Sequence, residues 1–109
     1  MYTTVAAVNG ALAIAMGAFG AHYLKQHVTD ERLLKAFETG AHYHLIHSVA
    51  LLALNSEKHA WAQTFWVVGI VLFSGSLYLL PLNRKLGIIT PFGGLSLIAG
   101  WLSLLPKLW

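Results

Sequence analysis

Cysteine is absent from the 109-residue chain, which excludes disulfides, thiolate catalysis and cysteine-ligated zinc from the start. Charge is nearly as scarce: only 10% of residues are charged, against roughly 25% in an average soluble domain. Four acidic residues serve the whole chain, and no carboxylate pair, nucleophile with a matched base or phosphate-binding loop is present. Enzyme chemistry is therefore not expected. Seven basic residues give a net charge of +3, with no basic run dense enough for a nucleic-acid face, so nucleic acid is not an expected partner. The first residues also lack a basic stretch before a short apolar core, so no cleavable signal peptide is expected.

What fills the chain instead is apolar: 57% of residues are hydrophobic. The charges cluster, leaving Met1 to Leu24, Thr39 to Ser56, His59 to Asn83 and Leu86 to Pro106 free of Asp, Glu, Lys and Arg. Each window approaches or exceeds the roughly 20 residues that cross a hydrocarbon core as a helix. The fold class expected is an all-α membrane protein. A single transmembrane domain, 1–109, holds four spans at about 3–23, 41–54, 61–80 and 88–105, packed as a compact bundle.

Local signals refine this. In the first span, Ala6, Gly10, Ala13, Gly17 and Gly20 or Ala21 recur in steps of three and four, a smooth face for close approach of another helix. "TDERLLKAFETG" reads as a short interfacial amphipathic helix over about 30–39, with Thr29 as cap, Glu31 paired to Lys35, and a turn into the membrane at Gly40. A partner-binding helix would have the same pattern. Pro81 ends the third span, and Thr90 before Pro91 resembles a cap followed by proline at the first helical position. Gly93, Ser96, Gly100 and Ser103 form a second close-packing seam.

The connections after spans one and three hold Lys25, Arg32, Lys35, Arg84 and Lys85, whereas the termini and the middle connection hold only Lys58 and Lys107. The positive-inside rule then places both termini outside. Tyr2, Trp61 and Trp109 are expected in one aromatic belt, with Tyr23, Tyr43 and Tyr78 near the other. No internal repeat suggests an inverted-repeat transporter.

"GAFGAH", "YHLIH", "LFSGSLYLL" and "TPFGGLSLIAGW", in that order, resemble the domain of unknown function 423 family, the YgdD-like small four-helix membrane proteins. The resemblance covers nearly the whole chain. It implies a multi-pass protein of the bacterial inner membrane, with relatives in eukaryotes, and implies no particular activity, cofactor or partner. The family pattern falls on Gly17, Phe19, Gly20, His22, Tyr43, His47, Ser74, Gly75, Ser76, Tyr78, Thr90, Pro91, Gly93 and Gly94 of this sequence. His42 and His44 are not part of it.

Three histidines in "GAHYHLIH", Gly40 to His47, raise the question of a site. At about 100° per residue, His47 lies about 40° from Tyr43 and about 60° from His44, but about 140° from His42. The expected inward pair is Tyr43 with His47, joined by His22 from span one, with Ser74, Ser76, Tyr78 and Thr90 in support. His42 and His44 are expected at the interface. The plainest reading is a hydrogen-bonded network that fixes helix register in a structural or accessory membrane component. A sharper reading makes His22, His44 and His47 ligands of a metal ion or haem, although acidic second-shell groups are lacking. A third is proton or small-solute transport, with an oligomer supplying the path. The bilayer, a second copy or another membrane protein are the expected partners.

Overall fold

The computed structural model describes residues 2–54 and 58–105, and among these every element is helical. Four helices follow one another. α1 covers residues 2–27, α2 is Glu31–Ala53, α3 covers residues 60–79, and α4 is Thr90–Leu102, preceded by a 3-10 turn at Arg84–Ile88. α1 and α3 each contain a wide π turn, at Gly20–Leu24 and Ile70–Ser74. Three helical stretches are long and apolar enough to cross a membrane: Thr3–His27, Ala60–Leu79 and Arg84–Leu102. α2 is as long, at 23 residues, but more polar.

α2 corrects the expected boundary between an interfacial helix and a second span. The chain does not turn at Gly40; one helix runs through it. A Cβ there would stand 3.1 Å from Leu77 Cβ and 3.3 Å from a Tyr78 ring carbon, so Gly40 marks where α2 crosses α3. Capping differs too. Asp30, not Thr29, caps α2 by accepting the Arg32 N–H at 2.9 Å, and among the described residues the acid that forms an ion pair is Asp30, with Arg84 at 3.1 Å. That pair joins the two basic connections at one end of the bundle. Thr90 is the first residue of α4 rather than its cap, and its hydroxyl meets Ser76 on α3.

The small-residue faces pack as their spacing predicts. Gly10 lies over Ser48 and Gly17 over Ala41, while Ala6 and Ala13 are buried, so α1 rests on α2. On α4, Gly93 lies against the backbone at Leu72 and Phe73, Gly100 lies against Trp66, and Ser96 donates to the Phe65 carbonyl at 2.7 Å. Among the described residues no glycine has a positive φ, so these glycines serve close approach rather than turning. Ala6, Leu51, Trp66, Ile70 and Leu97 form an apolar core drawn from all four helices. Val8, Ile14, Val49, Leu52, Val71 and Leu95 face outward, as in a protein whose outer solvent is hydrocarbon.

Of the expected belts, Trp61 and Tyr23 are exposed, while Tyr78 turns inward. Trp109, Lys107 and the Tyr2 side chain lie outside the described residues, as does the middle turn at 55–57.

Candidate functional site

The buried residues of α2 are Phe37, Gly40, Ala41, His44, His47, Ser48 and Leu51, a stripe stepping by three and four. Two histidines therefore enter the bundle on adjacent turns. His44 is 2% exposed and His47 4%, whereas Tyr43, the residue before His44, is 41% exposed. This reverses the expected assignment of His44 to the interface and Tyr43 to the interior. Both pairs fit an arc of about 60°, and the small residues Gly40, Ala41 and Ser48, which align with His44, decide which arc faces in.

His44 bridges three helices. Its Nε2 lies 2.8 Å from Asn9 Oδ1 on α1, and its Nδ1 lies 2.9 Å from the Tyr78 hydroxyl on α3. Asn9 Nδ2 donates to the Val5 carbonyl at 2.8 Å, which leaves Oδ1 as the acceptor facing His44. Nε2 therefore carries the proton, and Nδ1 accepts from Tyr78. One turn on, His47 Nδ1 donates to the Tyr43 carbonyl at 2.7 Å, and the Trp101 indole on α4 donates to His47 Nε2 at 3.0 Å. A carbonyl only accepts and an indole N–H only donates, so His47 is the opposite neutral tautomer. The two imidazoles have no free nitrogen lone pair.

Aromatic rings wall in His47. Trp66 and Trp101 each meet it edge-on with centroids 5.8 Å away, and the Tyr43 ring stacks over it at 6.2 Å. Trp66 contributes its ring alone, since its indole nitrogen has no hydrogen-bond partner among the described residues. Of the serine hydroxyls, Ser74 crosses from α3 to the Gly40 carbonyl of α2 at 2.8 Å, while Ser48 and Ser76 donate within their own helices, to the His44 carbonyl at 2.7 Å and the Phe73 carbonyl at 2.9 Å.

The predicted site residues thus divide. His47, Ser74, Ser76, Tyr78 and Thr90 lie in helix interfaces, and Tyr43 contributes its carbonyl and a covering ring. His22 is exposed on the π turn of α1 and does not join His47. Among the described residues no three His, Cys, Asp or Glu side chains come together as a metal-ligating group, so His22, His44 and His47 do not converge. Asn9, Trp66 and Trp101 were not expected. Asn9 sits beside Ala6 and Ala13, three and four residues away on the small-residue face of α1, which was the available signal.

Apolar outer faces around an interior of paired polar groups define a helical membrane protein. A family model described as "Protein of unknown function (DUF423)" matches residues 16–94. The chain is 39% identical to a UPF0382 membrane protein of Schizosaccharomyces pombe, over 93% of this chain and 95% of that one. It is 40% identical to one of Haemophilus influenzae, over 94% and 89%, and 38% identical to YwdK of Bacillus subtilis, over 94% and 90%. The chain belongs to the DUF423 family of membrane proteins. No solved structure matches it.

Proposed function

We propose that the protein is a four-span structural or accessory component of the bacterial inner membrane, in which the buried His44 and His47 hold helices in register rather than hold a prosthetic group. The observation that carries this reading is that every imidazole nitrogen of the pair is engaged, three of the four by a side chain on another helix. A ligating histidine needs a free lone pair, and here each lone pair accepts a hydrogen bond. α2 serves as the fourth span. Beyond Gly40, His44, His47 and Ser48 point inward, while Leu45, Ile46, Val49 and Leu52 are exposed for lipid and His42 and Tyr43 stay on the outer side. The Asp30–Arg84 pair, which gathers the basic connections at one end, supports the orientation with both termini outside.

A double-mutant cycle tests the network. His44→Leu, Tyr78→Phe and the double variant, unfolded in the same detergent, are expected to show a coupling near 0.6 kcal/mol, the average for interhelical hydrogen bonds in a membrane. Zero coupling would remove the register role. Stoichiometric metal or a Soret band in the protein purified in nanodiscs would overturn the reading in favour of a cofactor site.

A further inference from the structure

Beside the polar network, α1 and α2 diverge to leave an open groove of about 440 Å³. That volume lies within the roughly 300–1,000 Å³ of sites that hold small molecules. Gly17, Gly20 and Ala21 form one wall and Leu34 with Phe37 the other. Phe37 occupies the base: a Cβ on Gly20 would fall 2.7 Å from Phe37 Cδ1. Lys25 from α1 and Glu38 from α2 stand on its rim. These two have opposite charge, both are exposed, and neither is in an ion pair among the described residues. Lys25 lies eight residues beyond Gly17, about 12 Å along the helix axis at about 1.5 Å per residue. Gly20 opposite Phe37 sets Glu38 near the level of Gly20, about 7.5 Å along the axis from Lys25, so two rim charges flank an apolar floor, the profile of a lipid headgroup with its upper acyl chain.

The pair of charges selects the headgroup. A purely anionic lipid would satisfy Lys25 and place its negative charge beside Glu38. A choline headgroup satisfies the charges, but its quaternary nitrogen has no N–H to give a carboxylate. A phosphate with a primary ammonium satisfies both side chains by charge-assisted hydrogen bonds, Lys25 donating to phosphate and the ammonium donating to Glu38. We propose that the α1–α2 groove binds one molecule of phosphatidylethanolamine, an acyl chain lying on Gly17, Gly20, Ala21, Leu34 and Phe37 and the headgroup clasped between Lys25 and Glu38.

Native mass spectrometry of the full, delipidated chain in detergent, titrated separately with phosphatidylethanolamine, phosphatidylglycerol and phosphatidylcholine of identical acyl chains, tests this. The ethanolamine lipid is expected to bind in a 1:1 adduct about tenfold more tightly than either other lipid, the scale of one hydrogen bond to a charged group. Glu38→Gln is expected to abolish the preference over phosphatidylglycerol, and Lys25→Gln to weaken both lipids. Ala21→Leu fills the groove from an exposed position and is expected to reduce the adduct about tenfold, the scale of buried apolar area lost, with helicity and lipid-free melting unchanged. Equal affinity for the three lipids, a preference for phosphatidylglycerol, or full binding by Ala21→Leu would each overturn the proposal. So would dimers that form through this face and exclude lipid.

Discussion

Adding one methyl group to Gly93 should destabilise the bundle, while the same change at Gly75 should not. At Gly93 an added Cβ would overlap the Phe73 amide nitrogen and the Leu72 carbonyl carbon, which are backbone atoms of the π turn in α3 and have no rotamer to move into. Relief requires α4 to slide away from α3 and to loosen the contacts of Leu97 and Gly100. Overpacking of this kind costs about 1–3 kcal/mol, less the roughly 0.5–1 kcal/mol by which alanine exceeds glycine within a helix. At Gly94 the nearest atom to an added Cβ is a Phe73 ring carbon at 3.6 Å, an ordinary contact, and at Gly75 nothing lies within 4 Å. The propensity gain stands unopposed at Gly75 and nearly so at Gly94. Thermal unfolding of the three alanine variants in one detergent, followed by tryptophan fluorescence, should rank Gly93→Ala below the parent and Gly75→Ala at or above it. Equal melting points for Gly93→Ala and Gly75→Ala would refute the close helix crossing.

The two buried histidines should differ in ¹⁵N imidazole spectra, His44 as the Nε2–H tautomer and His47 as the Nδ1–H tautomer; a shared tautomer would contradict the partners assigned to them. Asp30→Ala removes both a helix cap and an ion pair and should cost about 0.5–2 kcal/mol. Arg84→Ala removes only the exposed pair, Arg84 being 73% exposed, and should cost under about 0.5 kcal/mol, vanishing at high salt. Because the chain lacks cysteine, single cysteines at Lys25, Arg84 and Lys58 can be labelled in intact cells. The first two should react from one side and the third from the other, and labelling of all three from one side would overturn the topology.

Much of this was legible in the sequence. Charge-free windows located α1, α3 and α4 but only the second half of α2, and steps of three and four among Gly, Ala and Ser located the two tight seams, because in lipid small residues mark close approach. Gly40 was misread because glycine serves both turns and crossings, and only the partner helix, here Leu77 and Tyr78, distinguishes them. His44 was misplaced for a related reason: an angular argument within one helix leaves the inward arc undetermined until its neighbours pack. His22 was drawn toward His47 by a shared end of the bundle, but an end is wide, and the π turn leaves His22 on the outer surface. The tryptophan partner of His47 lies 54 residues further along the chain, beyond any local pattern.

That separation has a consequence for biogenesis. For a spanning α2, the polar stripe through His44 and His47 must enter lipid before its partners exist. Tyr78 is synthesised 34 residues after His44, and Trp101 54 residues after His47. At roughly 5–20 residues per second the last partner arrives several seconds late. Until Tyr78 is made α2 can pair only with Asn9 of α1, and His47 Nε2 stays unpaired until Trp101 follows, so a chain truncated before α4 should be less stable in the membrane than the full chain.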